Sequence, residues 1–230
     1  SFQYINGKQG WGQDHFFQFK NNAFTGINYN RPTRDRDFLQ GVENSVTCDV
    51  FTTTSSPGYY YNAWYFDGDL MGYGICNLTP KLHVVVIDPV THDPWKTRNT
   101  LLGVNLNNDF GNQNDEGDCL PVMTFFTFPQ DDPAYLSAFQ NMVNTEVPDG
   151  YYMLIYTPMT TRYDLWNSID SVGMYNTFLG LGSDSINGNR PNRPFAFFCK
   201  KGDASSVVEL YAQNVVDEVH LTGSILGDGT

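Results

Sequence analysis

The sequence LHVVVI at residues 82–87 is a short and largely apolar run, and the turn-forming residues Asp88 and Pro89 follow it. A run of this kind, bounded by turn-forming residues, predicts a buried β-strand. Residues 121–128 (PVMTFFTF) and 151–156 (YYMLIY) have the same character further along the chain. We therefore expect a sheet of buried strands in this part of the protein.

Two helices are predicted among these strands. The first starts at Asp132 and Pro133, since proline fits the first helical position and an acidic residue interacts well with the positive end of the helix dipole. Its apolar face has residues at helical spacing, namely Leu136, Phe139, Met142 and Val143. The second helix is predicted over residues 165–181, and its apolar side has Leu165, Ile169, Val172, Tyr175 and Leu179.

The first 80 residues contain almost no helical periodicity. Short aromatic runs occur at residues 15–19 (HFFQF) and 59–66 (YYYNAWYF), and glycines separate them. Aromatic residues prefer the pleated, half-buried surface of a strand, so this part predicts about four to six antiparallel strands. Residues 195–198, 207–211 and 219–221 are predicted to be the closing strands.

The composition narrows the class of protein and its partners. An aromatic content of 15% indicates a packed fold, while a charged content of only 17% is typical of extracellular proteins. The formal net charge of −12 disfavours binding to nucleic acid and to an anionic membrane surface. No apolar run approaches the roughly 20 residues that span a bilayer, so membrane insertion is not expected. We expect an extracellular or outer cell-surface location.

The cysteines, Cys48, Cys76, Cys119 and Cys199, form no CxxC pair that would indicate structural zinc. They allow three disulfide pairings, and buried free thiols are an equal alternative. Cys199 lies in an apolar segment, where a thiolate nucleophile is disfavoured. Since the chain also lacks the GxSxG pattern of serine hydrolases, we expect it not to be an enzyme.

Four segments of the second half stand in a recognisable order. They are HVVVIDP (83–89), VPDGYYMLIY (147–156), FLGLGSDSI (178–186) and PFAFFCKKG (194–202). In this order they resemble the domain named after the interleukin-like inducer of epithelial–mesenchymal transition. The resemblance implies a compact β-sandwich flanked by helices. It also implies recognition of a ligand or a sugar rather than catalysis.

A second resemblance involves the first half. Residues 11–24 (WGQDHFFQFKNNAF), 30–38 (NRPTRDRDF) and 88–95 (DPVTHDPW) resemble a recurring region of large bacterial surface proteins. Those proteins are exported by the type IX secretion route and often carry a gingipain-like cysteine peptidase or a sortase-like domain. This resemblance implies that the chain is a non-catalytic segment of such a protein, and we expect it to be an excised piece of something longer.

Together the pattern and the resemblance predict a fold class that is mainly β with an α+β second half, in the form of an antiparallel β-sandwich flanked by two helices. Residues 1–80 are predicted to be a β-rich subdomain with jelly-roll or sandwich-like strands. Residues 81–222 are predicted to be the interleukin-like inducer domain. Residues 223–230 are predicted to be a frayed tail.

The resemblance to the interleukin-like inducer domain also implies a set of ligand-binding residues. These are Asp109, Arg162 and a basic residue that falls on Arg190 or Arg193. Beside the resemblance, Trp95 and Trp166 are candidates for a platform on which a sugar ring stacks. Aromatic faces and convergent polar groups are the usual lining of such pockets. Two alternatives remain open: Arg162 can form a surface salt bridge with Asp164, and the tryptophans can pack in the core.

The loop at residues 105–118 (NLNNDFGNQNDEGD) is rich in oxygen donors and glycines. Its carboxylates, from Asp109, Asp115 and Asp118, make it a candidate calcium site, although the EF-hand spacing is not met. Paired carboxylates can also hydrolyse a glycosidic bond. The alternative to both is a plain solvated loop.

The favoured hypothesis is a non-catalytic extracellular module of a larger surface or secreted protein that binds a carbohydrate or another ligand. One alternative is a structural domain that positions a neighbouring peptidase-like or sortase-like domain. Another is a hydrolase that uses the acidic loop at residues 105–118. The expected partners are a glycan or other surface ligand and the neighbouring domains of the parent protein, with no cofactor other than calcium.

Overall fold

The structure is a computed structural model that describes residues 2–4, 13–20, 23–30, 46–53, 63–67, 69–73, 80–95, 98–99, 104–105, 122–158, 160–186, 190–214 and 218–225. The strands in chain order are β1 Phe2–Tyr4, β2 Gln13–Lys20, β3 Ala23–Asn30, β4 Val46–Thr53, β5 Ala63–Phe66, β6 Asp69–Tyr73, β7 Lys81–Ile87, β8 Arg98–Asn99, β9 Val104–Asn105, β10 Val122–Met123, β11 Phe126–Pro129, β12 Tyr152–Tyr156, β13 Phe195–Lys200, β14 Asp203–Tyr211 and β15 Glu218–Ile225. The helices are α1 Pro133–Asn141, α2 Tyr163–Ile169 and α3 Ser171–Gly180, and a π-helical turn, Met142–Glu146, follows α1.

The central element is a five-stranded antiparallel sheet with the order β11-β7-β12-β13-β14. The apolar run at residues 82–87 lies in β7, and every residue of this strand is buried. The β-dominated α+β fold class and the strands predicted at residues 82–87 and 151–156 are confirmed. Three further sheets have the orders β1-β2-β3, β10-β8-β9 and β15-β4-β5-β6.

One face of the central sheet packs against the helices. Strand alternation places Val84 of β7, Ile155 of β12 and Phe197 of β13 side by side on this face. From the helices, Phe139 and Phe178 pack in the same core with their ring centroids 5.6 Å apart. Burying a side chain of this size contributes about 1.5–3 kcal/mol, so this cluster is the main source of stability in this region.

The opposite face of the central sheet is also buried but more polar. His83 of β7 stacks on Phe125, and its Nδ1 atom is 3.0 Å from the Tyr156 hydroxyl. Burial is the largest cause that lowers the pKa of His83 well below its usual value, so the ring is neutral near pH 7. The Thr52 hydroxyl donates to the carbonyl of Thr157 at the end of β12.

The start of the first predicted helix is confirmed. The Asp132 carboxylate accepts a hydrogen bond of 2.8 Å from the Ala134 amide, and Pro133 occupies the first turn. All the residues predicted for its apolar face, Leu136, Phe139, Met142 and Val143, are buried. The last two belong to the π-helical turn that extends this helix.

The second predicted helix is wrong as a single element, because α2 and α3 meet at a break at Asp170. The backbone of Asp170 is non-helical (φ −158°, ψ 70°), and its carboxylate accepts a hydrogen bond of 3.1 Å from the Gly173 amide to cap α3. The break changes the helical phase. As a result the predicted apolar side is also wrong, because Val172 and Leu179 are 69% and 66% exposed while Phe178 is buried.

The strand predicted at residues 121–128 also needs correction. Residues 121–128 do not form one strand, because Thr124 and Phe125 separate β10, which pairs with β8, from β11, which pairs with β7. Of the tail predicted at residues 223–230, residues 223–225 belong to β15 and the others lie outside the described residues. The short strands β8 and β9 lie in the segment predicted to be a long loop.

The chain divides into two compact units. The first comprises residues 1–49, 65–70 and 222–230, and the second comprises residues 50–64 and 71–221. The predicted domain boundaries after residues 80 and 222 stay predictions. The predicted β-sandwich arrangement stays a prediction as well. Three α-helices are described rather than two. None of the described helices is long and apolar enough to cross a membrane.

Candidate functional site

Two loops meet at one end of the central sheet and bring together the predicted arginines. Arg162 lies in the loop between β12 and α2, and Arg190 and Arg193 lie in the loop before β13. The Thr161 amide donates a hydrogen bond of 2.9 Å to the Arg193 carbonyl, which joins the two loops. The Ala212 amide joins the end of β14 to the second loop through the Pro194 carbonyl, at 3.0 Å. We call this region, with its three arginines, the arginine end.

A buried glutamine holds the first of these loops in place. The Gln130 amide nitrogen donates to the carbonyls of Lys81 and Thr160, at 3.0 Å each. Its oxygen accepts a hydrogen bond of 2.8 Å from the Arg162 amide. Gln130 is fully buried and all these bonds are to the main chain, so the backbone under Arg162 is rigidly positioned.

Arg162 forms a bidentate salt bridge with Asp164, which was the alternative left open by the sequence. Its Nε and Nη2 atoms donate to the two carboxylate oxygens at 2.8 and 2.7 Å. This hydrogen-bonded pairing is the main cause that lowers the pKa of Asp164 to about 2, and Asn192 adds a bond of 2.7 Å. The third guanidinium nitrogen of Arg162, Nη1, forms no hydrogen bond with a described residue.

The Arg190 guanidinium is fixed at two points. Its Nε atom donates to the Ser185 carbonyl at 2.6 Å, and its central carbon lies 3.9 Å from the centroid of the Tyr211 ring. A cation over an aromatic ring is attracted to the negative face of the ring. Burial is the main cause that raises the pKa of Tyr211 to about 12, so its hydroxyl stays protonated and can donate.

A donor and an acceptor at the arginine end are buried without a hydrogen-bond partner among the described residues. The donor is Nε of Arg193, and the acceptor is Oε1 of Glu209. The other oxygen of Glu209 accepts from the Ser185 hydroxyl. An unpaired buried polar atom costs about 1–3 kcal/mol, so each of these two atoms would be stabilised by a partner.

Glu209, Ser185 and Tyr211 were not among the site residues predicted from the sequence. A signal for Glu209 was present, since it stands two residues from both Val207 and Tyr211 and therefore shares their face of β14. A carboxylate between Val207 and Tyr211 on one face of a strand is unusual and indicates a specific role. No comparable signal marked Ser185.

Neither predicted tryptophan platform presents a ring face at the arginine end. Trp166 is fully buried and stacks on Phe178, with ring centroids 5.7 Å apart, so no face is left for a sugar. Trp95 is half-buried beside Tyr151 at the opposite end of the sheet. The length of β12 alone separates the two ends by about 13 Å.

The opposite end of the sheet is closed by an ordered turn. The Asp88 carboxylate accepts hydrogen bonds from the Val90 amide (2.7 Å), the Thr91 amide (3.0 Å) and the Tyr151 hydroxyl (2.9 Å). The backbone bonds are the largest cause that lowers the pKa of Asp88. Because both of its oxygens are engaged, we interpret this carboxylate as structural.

The acidic loop at residues 105–118 lies outside the described residues except for Asn105. The positions of Asp109, Asp115 and Asp118 are therefore not described, and the calcium site and the hydrolase alternative stay predictions. Within the described ranges, no group of three His, Cys, Asp or Glu residues could hold a metal ion.

The structure describes two of the four cysteines. Cys48 and Cys199 are both buried, whereas Cys76 and Cys119 lie outside the described residues. Cys199 has a free thiol, and burial is the main cause that raises its pKa to about 12. This thiol is protonated near neutral pH and is a poor nucleophile there.

Neither a protein-family model nor any curated protein sequence matches the chain. The resemblance to the interleukin-like inducer domain and the resemblance to type IX-secreted surface proteins therefore stay predictions from the sequence segments that carry them.

Proposed function

We propose that this chain is a non-catalytic extracellular binding module of a larger surface protein, and that it binds a carbohydrate at the arginine end. The observation that carries this proposal is the convergence of Arg162, Arg190 and Arg193 on two joined loops, next to a buried donor and a buried acceptor that lack described partners. Binding residues are commonly held by loops at the end of a rigid scaffold.

The chemistry of the arginine end favours binding of hydroxyl-rich molecules. A guanidinium donates to sugar oxygens, and the free oxygen of Glu209 accepts from a sugar hydroxyl. A site with such groups rejects ligands that leave them unpaired, which is how polar pockets obtain their specificity. The Tyr211 hydroxyl, protonated at neutral pH, adds a further donor.

The same groups are poorly suited to acid–base catalysis. A catalytic acid or base works best with a pKa near the working pH. The pKa of Asp164 is about 2 because Arg162 binds it, so this carboxylate stays ionised and does not exchange protons near pH 7. This supports a binding role for the arginine end.

The test is a glycan array followed by calorimetric titration of each hit. We expect the unmutated chain to bind at least one glycan. Arg162→Ala should weaken that binding about tenfold or more, which is the effect of losing a hydrogen bond to a charged group. Lys200→Ala is the control, because it removes one positive charge at the far end of β13. The absence of binding to every glycan on the array would overturn the proposal.

A second candidate function is a structural domain that positions its neighbour in the parent protein. The observation that favours it is the exposure of Val172 (69%) and Leu179 (66%), which lie seven residues apart on α3 and therefore on one helical face. Hydrogen exchange on the full-length gene product and on this chain alone would distinguish the two. Protection of α3 only in the longer protein supports the structural candidate, and equal exchange opposes it.

A further inference from the structure

The arginine end contains two guanidinium groups that form no salt bridge with a carboxylate in the described part of the chain. These belong to Arg190 and Arg193, whereas Arg162 is bound by Asp164. Unpaired arginines are notable here because the chain as a whole has a net charge of −12. The chain has 25 aspartates and glutamates against 13 lysines and arginines, so two arginines of a single loop without a carboxylate partner suggest a missing anion.

The orientation of Arg190 suits a planar anionic group. Its Nε atom and one face of its guanidinium are already used by Ser185 and Tyr211, which leaves the two Nη groups without a bond to a described residue. Two parallel N–H donors match the two oxygens of a carboxylate or of a sulfate. Because the group is fixed before the ligand arrives, little side-chain entropy is lost on binding.

Glu209 adds a second requirement to the ligand. Ser185 forms hydrogen bonds with both Glu209 and Arg190. Its hydroxyl donates to the Glu209 carboxylate, and its carbonyl accepts from Arg190. The unpartnered Oε1 atom would repel a bare anion but would accept from a hydroxyl. A ligand that satisfies both residues has an acidic group and a hydroxyl close together.

We propose that the arginine end recognises an acidic sugar, with Arg190 and Arg193 binding its carboxylate or sulfate group and Glu209 accepting from one of its hydroxyls. This rests on the carbohydrate binding proposed above and adds the class of sugar. Neutral sugars satisfy Glu209 alone and bind more weakly.

The experiment is calorimetric titration of the 230-residue chain with two matched pairs of probes. One pair is trigalacturonate and its carboxyl-reduced neutral counterpart, and the other is a sulfated galactan oligosaccharide and its desulfated counterpart. We expect at least one acidic probe to bind about tenfold or more tightly than its neutral partner, which is the effect of one charge-assisted hydrogen bond. The pair that shows this preference identifies the acidic group as carboxylate or sulfate.

Variants separate the roles of the residues. Arg190→Gln and Arg193→Gln should each reduce the preference for the acidic probe about tenfold, while Lys200→Gln, with the same loss of charge at the other end of β13, should keep it. Glu209→Gln should weaken the acidic and the neutral probe alike. Far-UV circular dichroism and melting temperature check that each variant is folded. If one of the two arginine variants does not fold, the other alone tests the proposal.

The outcomes distinguish failure of the acidic-sugar inference from failure of carbohydrate binding. Equal affinity for acidic and neutral probes, unchanged in Arg190→Gln, overturns the acidic-sugar inference and leaves carbohydrate binding standing. If Lys200→Gln loses the preference for the acidic probe together with the arginine variants, the acidic-sugar inference is overturned, because the effect then comes from overall charge. Binding of none of the probes, together with an empty glycan array, overturns both proposals.

Discussion

Gly182 sets the path of the chain that carries Ser185 and Arg190 to the arginine end. Its φ of +96° lies in a region that residues with a side chain rarely adopt. A Cβ atom added here would lie 2.8 Å from the Cα of Ala204 and 3.0 Å from a methyl carbon of Val207, both on β14. Gly182→Ala therefore combines backbone strain with a clash against a neighbouring main chain.

The size of the effect follows from these two contributions. A left-handed backbone costs a residue with a Cβ about 1–2 kcal/mol, and overpacking in a buried site costs about 1–3 kcal/mol. We expect Gly182→Ala to lower the free energy of unfolding by about 2–5 kcal/mol. Gly180→Ala is the matched control, since a Cβ there meets nothing within 4 Å and alanine is a better helix former than glycine.

The assay is urea unfolding followed by tryptophan fluorescence, because Trp166 lies in the core that packs beside this turn. Gly180→Ala should match the parent or exceed it by up to about 1 kcal/mol. If Gly182→Ala instead unfolds at the same urea concentration as the parent, the close approach of this turn to β14 is refuted. A loss of glycan binding in a folded Gly182→Ala would further link this turn to the arginine end.

Three further predictions test the core, the salt bridge and the buried thiol. Phe178→Ala should lower the free energy of unfolding by about 3–5 kcal/mol in the same assay, while Leu179→Ala, one residue along but 66% exposed, should change it by less than about 0.5 kcal/mol. Because the pKa of Asp164 is lowered from 3.8 to about 2, its pairing with Arg162 stabilises the protein fully above pH 4 and ceases to do so as the pH falls to 2. The free energy of unfolding of Asp164→Asn should thus differ from that of the unmutated chain above pH 4 and converge with it near pH 2. A difference that stays constant with pH contradicts the lowered pKa. Cys199, whose pKa is raised to about 12, should resist a thiol reagent at pH 8 in the native protein and react in urea, and equal rates would contradict its burial.

The strands of the central sheet could be predicted because their signal is local. Residues 82–87 and 151–156 are apolar on both faces, and the structure buries both faces of β7 and β12. Such runs predict strands without knowledge of their neighbours. The cap of α1 at Asp132 was likewise predictable, since it depends only on the residues beside it.

The break between α2 and α3 could not be predicted from apolar spacing. Leu165, Ile169 and Val172 continue one helical stripe in the sequence, but Asp170 interrupts the helix by capping α3 with its own side chain. Gln140 of α1 also donates to this carboxylate, at 2.9 Å, so the break is fixed by a contact between distant parts of the chain. Apolar periodicity contains no information on such a contact.

The arginines of the candidate site came from the sequence, but their surroundings did not. Arg162 and Arg193 were named by resemblance, and the backbone bond that joins their loops depends on the register of β12 and β13. Trp166 was left open between a sugar platform and core packing, because sequence alone does not distinguish a core tryptophan from an exposed one. Its full burial against Phe178 decides this for the core.

NMR mapping of a glycan hit from the array on the isotopically labelled chain would locate the binding site directly. Carbohydrate binding at the arginine end predicts chemical-shift changes in the side-chain Nε–H signals of Arg162, Arg190 and Arg193 and in the amides around Ser185. Signals at Trp95, at the opposite end of the central sheet, should stay unchanged. Shifts confined to Trp95 or to residues 105–118, with the arginine signals unmoved, would contradict the claim.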